Sequence, residues 1–399
     1  MHRRIAPHLR RLVAAFVLFA ALNITGCLPG AAWLPDSSGI IYTGGKEFTQ
    51  LIHYDVTRNE QKTLVADTKA PTFWPAVSPD GKRIAVAHIH AKEKKGPTTV
   101  QVIVYDRGGK EVQRSKMFPW TEKAKGDGIK GSLVQLFWGP QDQGVIVSDA
   151  GNNNVGIYDP KMDRLVNLKD AWLLNFAGGP VRPDGAGFLV MHSAESVIKL
   201  GGGEPPPADK PPAFSLVGWD GSKRAIKPPA LLLDKEALKK ETDVNKLIAL
   251  LSPCIYQSGW EDDVAWVSWN VDRLRYFTKK GEAIIDSVKP LLADDGRVVQ
   301  LRHKFPGGQA EVQIVSPFGV EKKAGEAKEG LRVEVRKAGQ KQAEVLLKNA
   351  EFCVPTVSPN GRMLALWCLE QKGKQATEPI KILIIDDKGA VTAKLTVPH

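Results

Sequence analysis

Two histidines, His88 and His90, lie two positions apart in a run of strand-forming residues. Alternate residues of a β-strand point to the same side of the sheet, so both imidazoles could hold one metal ion. A metal site of this kind needs a third and a fourth ligand, which the sequence does not supply nearby, and histidines are common at exposed strand ends. We therefore predict no metal site and no cofactor, with His88 and His90 as the nearest candidates for metal ligands.

Two of the four cysteines, Cys353 and Cys368, lie at equal distances from a predicted turn at Asn360-Gly361. A two-residue hairpin turn sets such residues directly opposite each other on neighbouring strands. In an oxidising compartment the pair can form a disulfide, although directly opposed cysteines often have poor geometry for one. Two outcomes stay open, a disulfide or two buried thiols, and Cys254 is expected to be free.

Residue patterns typical of catalysis are not found in the sequence. The chain has neither the Gly-x-Ser-x-Gly elbow of α/β hydrolases nor a glycine-rich phosphate loop between a strand and a helix. Asp80, Asp184 and Asp295 form an acidic series, but each belongs to a predicted turn, where a carboxylate accepts hydrogen bonds from backbone amides. We predict no catalytic residues.

A sequence repeat contains these turns. Each copy has an apolar residue, then Pro or Asp followed by Asp, Asn or Gly, and then a strand rich in β-branched and aromatic residues. Pro and Asp favour tight turns, and Gly takes the positive φ that such turns require. The seven copies are centred on Pro35-Asp36, Pro79-Asp80-Gly81, Gly139-Pro140, Pro183-Asp184-Gly185, Asp262-Asp263, Asp294-Asp295-Gly296 and Pro359-Asn360-Gly361.

A second turn follows each copy, usually after a strand that ends in an aromatic or aliphatic residue plus Asp. This turn begins at Asp55, Asp106, Asp159, Asp220 and Asp386, and in units five and six only Gly281 and Gly339 mark it. Each unit thus predicts four antiparallel strands, named a, b, c and d, joined by tight a–b and c–d turns. Four-stranded units that repeat about every 40 to 45 residues are typical of β-propellers.

The turns after Ser78 and Ser358 resemble the repeat of TolB-type, WD-repeat-like β-propellers of bacterial envelopes. The resemblance covers residues 31–397 and implies an all-β fold. We predict a seven-bladed β-propeller, with six blades as the alternative because units five and six match less well. TolB itself has a separate N-terminal α/β domain, which we expect to be missing here, so the partner-binding role of that domain is not carried over. A tandem of β-sandwiches is the rival fold, but turns matched at both ends of each unit favour the propeller.

Long segments fall mainly between strands b and c, or between strand d and the next strand a, and therefore on one face of the ring, called the loop face. The a–b and c–d turns form the opposite, short-turn face. Insertions are predicted in the segments 115–130, 193–212, 227–252 and 305–329. Apolar residues near helical spacing within 231–251 predict one short helix, which either caps the ring or binds a partner.

The first 26 residues have the layout of a secretory signal peptide, with four arginines before an apolar run from Leu12 to Leu22. Ile24-Thr25-Gly26-Cys27 resembles the bacterial lipobox, which implies cleavage before Cys27 and acylation of its sulfur and its new amino group. Two or three acyl chains anchor a protein stably. Residues 27–30 would then be a lipidated tether and residues 31–399 the propeller. Leu28 favours the periplasmic side of the outer membrane, if the host has one.

The net charge of the chain and the short tether after Cys27 indicate which partners it can bind. Removing residues 1–26, which hold four Arg and no acid, lowers the formal charge from +11 to +7. This mild excess suits an anionic membrane or an acidic partner, and it is too small for a nucleic-acid footprint. Only about 10 Å of extended chain separates Cys27 from the first strand, so we expect the loop face near the membrane.

The sequence favours a non-catalytic scaffold that binds an envelope protein or polymer; the alternative is a glycan-acting lyase or hydrolase with its site at the channel mouth.

Overall fold

A computed structural model of the chain describes most residues between Gly30 and Pro398. The described ranges are 30–45, 48–69, 71–72, 74–91, 96–122, 134–149, 152, 154–169, 171–173, 179–192, 213–226, 255–261, 264–269, 272–277, 282–287, 292–297, 299–315, 330–372, 376–377 and 380–398. Within them the chain forms 29 β-strands, numbered β1 to β29, all paired antiparallel.

The first three four-stranded units are blades 1 to 3. Blade 1 consists of β1 Ala31–Trp33, β2 Gly39–Gly44, β3 Gln50–Asp55 and β4 Glu60–Val65. Blade 2 consists of β5 Ala76–Val77, β6 Arg83–Ala91, β7 Thr98–Asp106 and β8 Glu111–Arg114, with β9 Phe118–Thr121 also paired to β7. Blade 3 consists of β10 Val134–Trp138, β11 Val145–Asp149, β12 Asn154–Asp159 and β13 Arg164–Asn167.

Blades 4 and 5 repeat the same strand order. Blade 4 consists of β14 Ala171–Leu173, β15 Phe188–His192, β16 Ala213–Val217 and β17 Lys223–Ile226. Blade 5 consists of β18 Ile255–Glu261, β19 Val264–Trp269, β20 Asp272–Phe277 and β21 Glu282–Ser287.

Blades 6 and 7 share one long strand, β25 Glu344–Val357. Blade 6 consists of β22 Val299–Lys304, β23 Ala310–Val315, β24 Leu331–Lys337 and the part of β25 up to Ala350. Blade 7 begins with the rest of β25 and adds β26 Met363–Lys372, β28 Lys381–Asp386 and β29 Val391–Thr396, with β27 Ala376–Thr377 paired to β26. The described strands therefore group into seven four-stranded units.

Burial explains why the strands differ in composition. Strand b of blade 3, β11, has the sequence VIVSD and is buried along its whole length, because sheets pack against both of its faces. Strand d of blade 1, β4, has the sequence EQKTLV and is exposed over its first four residues, because it forms the outer edge of the sheet. Near-continuous apolar runs thus mark the middle strands of each blade, and polar sequences mark the rim.

The first strands of successive blades lie side by side: β1 beside β5, β5 beside β10, and β18 beside β22. Apolar clusters fill the space between neighbouring blades. One joins blades 1 and 2 through Leu34, Ile41 and Ile84, and others join blades 2 and 3, 3 and 4, and 6 and 7. The last cluster joins blade 7 to blade 1, with Trp367 fully buried and edge-on to Tyr42. This ring of four-stranded sheets is a β-propeller.

The predicted a–b turns are present in blades 1 to 4 and in blade 7, and blade 6 differs. The turns predicted in the fifth unit at Asp262-Asp263 and Gly281 lie outside the described residues. The a–b turn of blade 6 is Pro306-Gly307-Gly308, between β22 and β23, and not Asp294-Asp295-Gly296. Asp294-Asp295-Gly296 does form a tight turn, with the Gly296 N–H donating to the Ala293 carbonyl at 3.0 Å, but it lies in the connection from blade 5 to blade 6. The segment predicted as an insertion at 305–329 therefore contains a turn and a strand in residues 305–315.

A second difference lies within the segment predicted as an insertion at 115–130, where residues 118–121 form β9 and extend the outer edge of blade 2. The other long segments, 193–212 and 227–252, lie outside the described residues, and so does the helix predicted at 231–251. The signal peptide, Cys27 and Cys254 also lie outside them.

Candidate functional site

The acidic series singled out in the sequence belongs to the turns. Asp80 Oδ1 accepts hydrogen bonds from the Ser78 hydroxyl at 2.6 Å and the Lys82 N–H at 3.1 Å, and these bonds lower the pKa of Asp80. Asp184 Oδ1 accepts a bond from the Ala186 N–H at 3.0 Å. These carboxylates hold turns together, as the sequence predicts.

The same bonding recurs in the c–d turns. The carboxylates of Asp55, Asp106, Asp159, Asp220 and Asp386 each accept one or two hydrogen bonds from backbone N–H groups two to four residues ahead. The c–d turns of blades 1 to 4 and of blade 7 are therefore each fixed by their own Asp side chain.

The two histidines lie at the loop-face end of β6. His88 and His90 share the face of β6 that carries Ile84 and Val86, which pack on blade 1, so both imidazoles lie at the seam between blades 1 and 2. Their ring centroids are 6.1 Å apart. His88 is only 2% exposed, in contrast to the exposed strand-end position that the sequence suggests, and His90 is half-buried.

Neither histidine Nε2 atom has a hydrogen-bond partner among the described residues, although both atoms are buried. Burial lowers the pKa of His88 to about 4, and the neighbouring His90 and Arg114 add to this effect. His88 is therefore neutral in the folded protein near pH 7. Next to it in the sheet, Gln101 accepts a hydrogen bond from Arg114 at 3.1 Å and donates one to the Ser115 carbonyl at 2.9 Å.

A second polar cluster lies at the loop-face end of the seam between blades 2 and 3. The Trp120 indole donates to Oδ2 of the fully buried Asp149 at 3.0 Å, and the Asn152 amide donates to the same oxygen at 2.7 Å. The amides of Asn154 and Asn167 both donate to the Trp120 carbonyl, at 2.7 and 2.8 Å. These bonds tie the b–c connection of blade 3 to β9 of blade 2.

The two cysteines of blade 7 stand opposite each other in β25 and β26, as the hairpin register predicts. Both are free thiols with 3.2 Å between their sulfur atoms. Cys368 is fully buried in the cluster between blades 6 and 7, whereas Cys353 is half-buried. The hydrogen bond with Cys353 and burial raise the pKa of the Cys368 thiol. The disulfide itself stays a prediction.

Blade 6 carries a charged face on the side opposite its apolar packing against blade 7. We call it the ionic face, and its members are Arg302, Glu311, Gln313, Arg332, Glu334 and Arg336. Arg302 donates to Glu311 Oε2 through Nε at 2.8 Å, and Gln313 donates to Glu311 Oε1 at 2.7 Å.

The ionic face also binds the turn that leads from blade 5 to blade 6. Arg332 lies 2.9 Å from Asp295 Oδ2, and Arg336 lies 2.5 Å from Asp294 Oδ1. Burial alone would raise the pKa of Asp295, but the hydrogen bonds and positive charges of Arg332 and Arg297 together outweigh it and lower that pKa. Asp294 and Asp295, predicted as an a–b turn, instead attach this connection to β24.

The start of the described chain lies at the loop face. A Cβ atom built on Gly30 would lie 2.4 Å from the Trp74 indole, so glycine at this position lets the ring pack directly on the backbone. Trp74 belongs to the connection from blade 1 to blade 2 and also packs on Phe137, with ring centroids 5.6 Å apart. The chain therefore enters the ring beside the inner strands, on the face that carries the d–a connections.

Neither a family model nor a curated protein matches the chain. Among solved structures it is similar to TolB from Acinetobacter baumannii, with 15% identity and a TM-score of 0.38 over 93% of this chain and 65% of that one. It is also similar to a chain of the mitotic checkpoint complex, with 9% identity and a TM-score of 0.43 over 87% of this chain and 89% of that one. The chain thus spans about two thirds of the TolB chain, and the fold assignment rests on the sheet topology described above.

Among the described residues no helix has the length and apolar character needed to cross a membrane. Nor do the described side chains include a group of three or more His, Cys, Asp or Glu placed to hold a metal ion.

Sequence reasoning missed two of these features, the Trp120–Asp149 contact and the ionic face. The sequence of β23, AEVQIV, alternates polar and apolar residues as a strand with one apolar face does, and this signal could have revealed blade 6. No comparable local signal announces the contact between Trp120 and Asp149, which lie 29 residues apart.

Proposed function

We propose that this β-propeller is an exported, lipid-anchored binding scaffold of the cell envelope without catalytic activity. The observation that carries the proposal is the position of Gly30, which packs against Trp74 at the loop face. Gly30 is three residues from Cys27, the residue that the lipobox-like sequence marks for acylation. Acyl chains on Cys27 would therefore hold the loop face within about 10 Å of the headgroups.

This geometry leaves the short-turn face for a partner that is not in the membrane. The turns of that face are fixed by carboxylates bonded to backbone N–H groups, as in Asp80 and Asp386. A surface that is already ordered loses little conformational entropy on binding. The partner is an envelope protein or polymer that reaches the ring from the side facing away from the bilayer.

The acylation step is tested on the N-terminal peptide of the chain expressed in a bacterium with an outer membrane. We expect mass spectrometry to find a peptide that begins at Cys27 and carries two or three acyl chains. The variant Cys27→Ala should keep its signal peptide or be released unacylated. A mature wild-type N-terminus at another residue, or an unmodified Cys27, would refute the anchoring.

The orientation of the partner is tested with a photo-cross-linker at one of two exposed positions. Lys82 lies in the a–b turn of blade 2, on the short-turn face, and Glu122 follows β9 at the loop-face end. We expect the probe at Lys82 to capture a protein or polymer and the probe at Glu122 to capture lipid. Capture of a protein or polymer by the probe at Glu122, and not by the probe at Lys82, would contradict the proposed orientation.

A further inference from the structure

The seam between blades 1 and 2 contains two buried imidazole nitrogens, Nε2 of His88 and Nε2 of His90, that have no hydrogen-bond partner in the part of the chain that the structure describes. A buried polar atom left unpaired costs about 1 to 3 kcal/mol, and two such atoms on neighbouring rings of one strand face double this cost. A ligand shared by both nitrogens would remove it. The common ligand for two neutral imidazoles is a transition-metal ion.

The separation of the rings indicates how such an ion would be bound. An imidazole nitrogen lies about 2.0 Å from a bound metal ion, and the ring centre lies about 1.1 Å behind that nitrogen. Two rings on opposite sides of one ion thus have centres about 6 Å apart, whereas a tetrahedral angle brings the centres to about 5 Å. The observed 6.1 Å fits the linear arrangement, and the angle of 63° between the ring planes is compatible with it.

Linear coordination by two nitrogens is a geometry that Cu(I) accepts, while zinc is held by three or four protein ligands. Within the described part of the chain no third His, Cys, Asp or Glu completes a larger ligand set. We propose that His88 and His90 form a two-imidazole site for Cu(I) at the seam between blades 1 and 2.

The position of the pair provides access for the ion. His90 is half-buried near the end of β6, and His88 lies two residues further into the seam, where it is 2% exposed. An ion from solvent therefore meets His90 first and is then enclosed by His88. The site is independent of the lipid anchor, so a failure of the copper test would leave the proposed scaffold function untouched.

The site is tested by titrating the purified full chain with Cu(I), supplied as its bicinchoninate complex. Cys254, Cys353 and Cys368 are all replaced by Ala in this parent protein, because free thiols, and above all the adjacent pair, would also bind Cu(I). We expect one equivalent of tightly bound copper, with two nitrogen neighbours and no sulfur in its X-ray absorption spectrum. In protein labelled with ¹⁵N at histidine, only two Nε2 resonances should shift.

Single substitutions assign the site. His90→Gln should weaken Cu(I) binding about 100-fold or more, and His88→Gln should have the same effect. His303→Gln is the matched control, because the Nε2 atom of the half-buried His303 is also buried without a hydrogen-bond partner among the described residues, but its ring packs edge-on against Phe305. It should leave binding unchanged. Absence of stoichiometric binding by the parent, full binding by His90→Gln, or tighter binding of Zn(II) than of Cu(I) would each overturn the proposal.

Discussion

The backbone N–H of Asn360 donates a hydrogen bond to the hydroxyl of Ser37 across 3.2 Å, which joins the a–b turn of blade 7 to that of blade 1. Close by, the Trp33 indole donates to the Thr356 carbonyl at 2.8 Å. The residues of each pair are 323 positions apart in the chain. These bonds, together with the Trp367 cluster, close the ring between its first and last blades.

The closing bond of Trp33 should contribute measurably to stability. Trp33→Phe keeps most of the packing but leaves the Thr356 carbonyl without its indole donor, so we expect the free energy of unfolding to fall by about 1 to 3 kcal/mol. Urea denaturation measures this loss. The control is Trp219→Phe, which removes a similar 2.8 Å bond to the Gly185 carbonyl inside blade 4. Only Trp33→Phe should speed amide hydrogen exchange in β1 and β25, and equal exchange in both variants would contradict this role.

Successive a–b turns pack glycine on proline. Gly185 has φ +75°, and a Cβ atom there would lie 2.7 Å from Cγ of Pro140 in the preceding blade. Gly185→Ala should cost about 1 to 2 kcal/mol for the left-handed backbone and more for this clash. Gly339 has φ +79° with no atom near its Cβ position, so Gly339→Ala should show the backbone cost alone. Thermal unfolding measures the loss of stability in Gly185→Ala and in Gly339→Ala. An equal loss in both would mean that the turns do not pack as described.

The ionic face predicts different costs for two glutamates that both face basic residues. Glu311 is 8% exposed and accepts bonds from Arg302 and Gln313, so Glu311→Gln should destabilise the fold by about 1.5 kcal/mol, because it loses a hydrogen bond from a charged donor. Glu344 is exposed, 3.7 Å from Lys337, and Glu344→Gln should cost less than about 0.5 kcal/mol. Chemical denaturation measures the free energy of unfolding of both variants. Equal losses in the two would argue against a structural role for the ionic face.

Stability should depend on pH through His88. Its pKa is about 4 in the folded state and about 6.5 when unfolded, so between these values the unfolded chain binds a proton that the folded chain does not. Stability is therefore full above about pH 6.5 and falls as the pH drops toward 4, by on the order of 3 kcal/mol. The other charged groups near His88 are His90, Arg114, Glu111 and Asp67. Denaturation at several pH values should show a shallower slope for His88→Gln, and an unchanged slope would refute the assignment.

The cysteine pair should be oxidised in protein taken from an oxidising compartment. A disulfide between Cys353 and Cys368 would close a loop of about 15 residues and stabilise the fold by about 3 kcal/mol. Thiol counting in denaturant should find two more thiols after reduction than before, and Cys353→Ala should abolish the difference. An unchanged count on reduction would leave the pair as two thiols.

Local chemistry explains which parts of the fold could be read from the sequence. A turn such as Ser78-Pro79-Asp80-Gly81 carries its own hydrogen-bond acceptor and its own positive-φ residue, so its position is written in adjacent residues. The hairpin register that opposes Cys353 and Cys368 follows in the same way from the turn at Asn360-Gly361.

Other parts depend on contacts between distant residues. Asp294-Asp295-Gly296 has the composition of an a–b turn, and only its bonds to Arg332 and Arg336 reveal that it attaches to β24. The burial of His88 likewise depends on blade 1, which packs over it. A local pattern predicts that a turn or strand exists, while its neighbours in space decide which strands it joins and what covers it.

The orientation of the ring on the membrane is the central claim, and depth-dependent quenching tests it most directly. A spin label is attached at Lys82 or at Glu122 of the acylated chain in lipid vesicles, and its distance from the headgroups is measured. A strand of six residues spans about 20 Å, which sets the separation of the two faces. We predict the Glu122 label near the headgroups and the Lys82 label about 20 Å farther out. A Lys82 label closer to the bilayer than the Glu122 label would contradict the account.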